Sequence, residues 1–127
     1  MITIHLNDIL NSIPIFREIS NKSLPIKTAY QLARLIRELD RESTTFDESR
    51  RKIIEKYAER DENGEFKQTD EGNIIITPDQ IHACNQEMVE LLDTEIEINV
   101  EPIEIESLAS IELTPAQMFS LEPFFIM

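Results

Sequence analysis

Residues 25–60 read PIKTAYQLARLIRELDRESTTFDESRRKIIEKYAER, and the spacing of the apolar positions in this stretch decides the architecture. Ala29, Leu32, Ala33, Ile36, Leu39, Phe46, Ile53 and Tyr57 recur at the intervals of one helix face. Pro25 suits a first turn, where its missing N–H costs nothing. The pattern predicts a helix over residues 25–60, with a candidate break at Ser43-Thr44-Thr45, where three poor helix formers meet. Arg34 with Glu38, Glu48 with Lys52 and Arg51 with Glu55 stand one turn apart and should pair on the outer face, for a few tenths of a kcal/mol each. Arg50, Arg51 and Lys52 make a small basic strip, best read as a solvated helix face.

Outward from this helix the chain alternates in type. Ile2, Ile4 and Leu6 interleave with Thr3, His5 and Asn7, the pattern of a short strand with one apolar face. Asn7 reads as a helix cap, followed by Ile9, Leu10, Ile13 and Phe16 at helical spacing, with Pro14 expected to kink or divide that helix. Ser20-Asn21-Lys22-Ser23 is a polar break. Asp61-Glu62-Asn63-Gly64 and Asp70-Glu71-Gly72-Asn73 are two turns, so residues 65–67 and 73–76 should pair as a small hairpin. Thr77-Pro78-Asp79 opens another helix with threonine as the cap. On it Ile81, Cys84, Met88, Leu91 and Leu92 form an apolar stripe that carries Cys84 to the buried face.

The segment TEIEINVEPIEIE, residues 94–106, alternates with period two. Ile96, Ile98 and Val100 hold one phase, and Ile103 and Ile105 hold the opposite one after Pro102. A one-residue slip at a proline implies a bulge, a sharp bend or two separate strands. Glu95, Glu97, Glu101, Glu104 and Glu106 then face outward. Thr114-Pro115 starts a short last helix, and the chain closes on the apolar run 118–127, which holds Phe119, Phe124 and Phe125. The fold class expected is α+β: a long helical hairpin packed with a small antiparallel sheet, and a short C-terminal helix. One domain is expected over residues 1–127, helical over about 7–60, with the hairpin, helix, acidic strands and last helix over 61–127.

Charge divides the chain sharply. Residues 1–60 carry eleven Lys or Arg against nine acids, whereas residues 61–127 carry Lys67 alone against sixteen acids, giving a net charge of −13. A surface of one sign repels nucleic acid and anionic membrane and attracts basic proteins. Direct nucleic-acid binding is disfavoured, and no run of about 20 apolar residues offers a membrane span. The N-terminus lacks a basic region followed by a long apolar stretch, and Cys84 is the single cysteine, so a cytoplasmic location is expected.

Catalytic and metal motifs do not emerge. Reading from Asp61 as a calcium loop, the sixth residue is Phe66 and the twelfth is Gly72, where glycine and glutamate are needed. His82 and Cys84 fall on different helix faces and His5 is remote in sequence. No cofactor, metal site or catalytic residue is assigned, and the chain reads as a non-enzyme. A metal-dependent hydrolase using Asp and Glu would need an acid spacing that is missing.

The segments LPIKTAYQLARLIRELDRE (24–42), YAERDENGEF (57–66), ELLDTEIEINVEPIEIESL (90–108) and LTPAQMFSLEPF (113–124) together resemble a family of small acidic proteins encoded by tailed bacteriophages and prophages. The resemblance implies no catalytic residues. It implies a host-cytoplasm or virion location and a protein partner, either a phage structural protein or a host defence protein. The expected function is therefore a virion structural or assembly accessory protein acting through protein contacts. Phe119, Phe124 and Phe125 would be its apolar anchor and Glu95, Glu97, Glu101, Glu104 and Glu106 its charged rim. The alternative is an anti-defence inhibitor whose acids mimic nucleic acid. The acidic row also has a plain reading, protection of a strand edge against aggregation. A homo-oligomer is left open.

Overall fold

A computed structural model of the chain describes residues 1–126; Met127, the last residue of the apolar run, lies outside the described residues. The elements are strand β1 (Ile2–His5), helices α1 (Leu6–Ser20), α2 (Ile26–Tyr57) and α3 (Ile81–Leu92), strands β2 (Glu95–Ile98) and β3 (Ile103–Glu104), helix α4 (Pro115–Leu121) and strand β4 (Phe125–Ile126). Short 3₁₀ turns cover Pro78–Gln80, Ile105–Leu108 and Glu122–Phe124. The class is α+β, with a long central helix, a small antiparallel sheet and a short C-terminal helix. Two compact units form, one from residues 1–43 with residue 93 onward, the other from Thr44–Leu92. The change from one unit to the other falls inside α2, between Ser43 and Thr44.

In the first unit, the alternation of β1 buries Ile2 and Ile4, which lie opposite Ile98 and Ile96 of the antiparallel β2. The chain then enters α1 directly. The Leu6 N–H donates to the Thr94 carbonyl at 2.9 Å and His5 is the N-cap residue, so Asn7 sits in the first turn instead of capping it. Pro14 does not divide α1, which runs unbroken from Leu6 to Ser20. One forfeited backbone hydrogen bond is outweighed by the burial of Ile9, Phe16 and Ile19, at about 2 kcal/mol each. Buried Ser12 is satisfied locally, its hydroxyl donating to the Ile9 carbonyl at 2.7 Å.

Helix α2 is likewise continuous through Ser43-Thr44-Thr45. The propensity deficit there, about half a kcal/mol per residue, is small beside the burial of Leu39 and Phe46 on either side. Its N-terminal part contributes Leu32, Leu35 and Leu39 to a core shared with Ile9, Phe16 and Ile19 of α1. Arg17 and Asp40 join the two helices at 2.6 Å on the surface. Of the three ion pairs expected along α2, Arg51–Glu55 forms at 2.9 Å. Glu38 pairs with Arg41 at 3.3 Å rather than with Arg34, and no Glu48–Lys52 pair forms among the described residues.

The slip at Pro102 separates two strands in two sheets. β2 pairs with β1, whereas β3 pairs in parallel with β4, Ile103 opposite Phe125 and Glu104 opposite Ile126. Ile103 is thereby buried, while Ile105 opens a 3₁₀ turn and is exposed.

In the second unit, residues 58–77 build a closed ring. Arg60 bridges Phe66, Gln68 bridges Ile74, and Ile76 returns to Ala58. Arg60, Gln68 and Ile76 follow at intervals of eight, and the backbone bonds share that period. Lys67 N–H donates to Glu59 and Ile75 N–H to Lys67, each at 2.9 Å, and Glu59 N–H closes the ring on Ile75 at 2.8 Å. The expected pairing of 65–67 with 73–76 is thus one side of a three-sided figure with approximate threefold repetition. Gly64 and Gly72, also eight apart, take φ of +80° and +85° at its first two corners, a region that disfavours side chains. The third corner is the turn after Thr77. That threonine makes no side-chain cap bond, and a 3₁₀ turn intervenes before α3. Cys84 is buried on α3, as its stripe predicts.

Candidate protein-contact site

The C-terminal segment positions the candidate surface. The Thr114 side chain accepts from the Gln117 N–H at 3.1 Å, the Gln117 side chain accepts from the Thr114 N–H at 2.9 Å, and Pro115 occupies the first turn. This reciprocal cap sets the phase of α4. Leu121 turns fully inward and Phe119 stands 80 % exposed.

The three phenylalanines expected to act together therefore part company. Phe124 is completely buried, with its ring edge-on to Phe16, and Phe125 is buried in β4 against Ile103. Both belong to the chain's own core and neither can fill a partner's pocket, because a 3₁₀ turn at Glu122–Phe124 folds the terminus back onto β3. Phe119 alone of the three is presented outward.

An apolar groove of about 420 Å³ opens between the 3₁₀ turn at Ile105–Leu108 and α4, lined chiefly by Ile105, Leu108, Ile111, Leu113, Met118 and Phe125. A smaller hollow of about 230 Å³ continues it past Pro115 and Met118 to Phe119 and Glu122. Glu104, Glu106 and Glu112 adjoin groove residues in the chain and are exposed. The acidic row expected as one rim is divided. Glu95 lies on β2 opposite His5, 3.9 Å from its ring, and Glu97 lies opposite Thr3. Glu101 lines a different groove altogether.

That second groove, about 250 Å³, was not anticipated. It is formed by Lys27, Tyr30, Gln31 and Arg34 of α2 with Val100 and Glu101. Ile26 and Tyr30 beside it are 89 % and 66 % exposed. The available signal was the phase of α2, which leaves Ile26 and Tyr30 off the apolar stripe.

A polar cluster lies in the second unit. Glu87 of α3 accepts from Lys56 Nζ at 2.6 Å and from the Tyr57 hydroxyl at 2.7 Å. These two hydrogen bonds hold the Glu87 carboxyl below its ordinary range, and the bond to Glu87 raises both Lys56 and Tyr57. Such an arrangement ties α2 to α3 within the second unit.

Among the described residues no group of three or more His, Cys, Asp or Glu is disposed to hold a metal ion, and no helix is long and apolar enough to cross a membrane. Compared with protein-family models, with curated proteins and with solved structures, the chain finds no match.

Proposed function

We propose that this is a bacteriophage protein that works without catalysis, through protein contacts, as a virion structural or assembly accessory protein. The observation that carries the reading is the apolar groove between Ile105 and Met118, with exposed glutamates next to its lining residues. An apolar centre with a polar margin is the anatomy of a protein interface. Residues 68–127 contain no Lys or Arg, so a complementary partner is basic around an apolar ridge. The resemblance of the chain to small tailed-phage proteins supplies the context.

Mass spectrometry of purified particles and of assembly intermediates tests this. The protein is expected in at least one of them, and Met118→Lys, which places a charge in the groove, is expected to deplete it there while the variant remains folded in the lysate. Absence from both fractions overturns the proposal.

A further inference from the structure

We propose that the chain docks onto a second copy of itself, Phe119 of one copy entering the groove that Tyr30 and Val100 line on the next. The inference deepens the protein-contact reading by naming a partner, and rests on it for treating exposed apolar surface as contact surface. Both surfaces lie within the first unit. The projecting element is Phe119, 80 % exposed on α4, sharing a surface hollow with Asp8, Ser120, Glu122 and Pro123. Its surroundings are thus aromatic at the centre and carry two carboxylates. The receiving groove holds about 250 Å³, with Tyr30, Gln31 and Val100 along it and Lys27, Arg34 and Glu101 at its polar positions.

The two surfaces are complementary in sign, and one offers an exposed ring where the other offers a hollow. A phenyl ring inserted beside Tyr30 gains an aromatic neighbour and is removed from water. Lys27 and Arg34 make no ion pair among the described residues, and Glu38, the expected partner of Arg34, is held by Arg41. They are free to meet Asp8 and Glu122 of the incoming copy, although Asp8 also lies 3.9 Å from His5 and Glu101 subtracts from the positive charge. The net charge of −13 opposes self-association at long range. Salt of about 0.15 M screens that repulsion beyond roughly 8 Å while leaving pairs in contact much less affected. Because the two patches differ, the contact either repeats head to tail as a ring or an open chain, or is made twice in a reciprocal two-fold pair.

Sedimentation velocity on the full chain, from about 10 to 300 µM in 0.15 M salt, decides the matter. The wild type is expected above monomer mass, rising with concentration. Phe119→Ser and the double variant Lys27→Glu/Arg34→Glu are each expected to stay monomeric with unchanged melting temperatures, since these side chains are exposed. Mixed in equal amounts, the two should form a one-to-one pair, because each retains the half that the other lacks. A monomeric wild type, variants that retain the wild-type mass, or a mixture that fails to pair each overturn the inference. A chain that is monomeric yet present in particles overturns the self-contact alone, and one that self-associates yet is absent from particles overturns the proposed function alone.

Discussion

The ring of Phe124 stands edge-on against Phe16, with centroids 5.1 Å apart and planes at 84°. Both side chains are fully buried, and the contact pins the C-terminal segment to the middle of α1. Edge-to-face packing satisfies the quadrupoles of the two rings in addition to removing their area from water. Truncating Phe124 to Ala should cost about 3–5 kcal/mol, the usual range for a fully buried phenylalanine. Phe119→Ala, its neighbour on α4, should change stability by less than about 0.5 kcal/mol. Chemical denaturation of the two variants side by side checks the contrast, and equal losses would contradict the division between core and surface phenylalanines.

The ring of residues 58–77 depends on its corners. Gly64 and Gly72 adopt left-handed backbone, and a Cβ built on either meets nothing within 4 Å. The penalty for a side chain there is therefore conformational and not steric crowding. Gly64→Ala and Gly72→Ala are each expected to destabilise by about 1–2 kcal/mol, and the Asn variants by less, since Asn tolerates this region better. Thermal melts of the four variants measure the order, and an Asn no better than Ala would refute a purely backbone origin.

Much of this was visible beforehand, for physical reasons that differ by element. The period of α2 was plain because burial of a helix face repeats every three to four residues whatever the partner. The reversal of phase at Pro102 required a bulge, a bend or two strands, because a pleated strand cannot change face without a break, and only the long-range pairings select two strands. What the sequence could not supply were long-range pairings, such as Ile2 with Ile98 or Ile103 with Phe125, which depend on chain segments far apart. For the same reason Phe119, Phe124 and Phe125 were indistinguishable. They differ only in the 3₁₀ turn that resets their direction. Gly64 and Gly72 stand eight residues apart in the sequence, but two turn signals at that distance are equally those of a simple hairpin.

The cap of α4 sets which side chain points outward, so it should matter more than its surface position suggests. Thr114→Ala removes the acceptor for the Gln117 N–H and should cost about 1 kcal/mol, whereas Thr114→Ser should retain nearly all of it. The same loss should appear as faster amide exchange in residues 117–119, resolved by mass spectrometry of peptides. Uniform exchange across the chain in Thr114→Ala would count against a local capping role.

Glu87 makes stability in the second unit depend on pH in a way whose sign is fixed. Its carboxyl titrates below the ordinary glutamate range when folded, because the ionised form accepts from Lys56 and Tyr57. The unfolded chain therefore binds that proton more readily, and the stabilisation is present above the ordinary range of about 4.5 and is lost as pH falls through the lowered folded value. Lys56 and Tyr57 are raised on folding, so their share is intact below their ordinary values of 10.5 and 10.0 and fades as pH rises through the raised ones. Other carboxylates in this acidic chain also titrate at low pH, which makes the difference between wild type and Glu87→Gln the informative quantity. That difference in melting temperature should be largest and flat between about pH 6 and 9 and should shrink at both ends. If the difference between the two proteins is the same at every pH from 3 to 11, the ionisation of Glu87 is not linked to the stability of the unit that holds it.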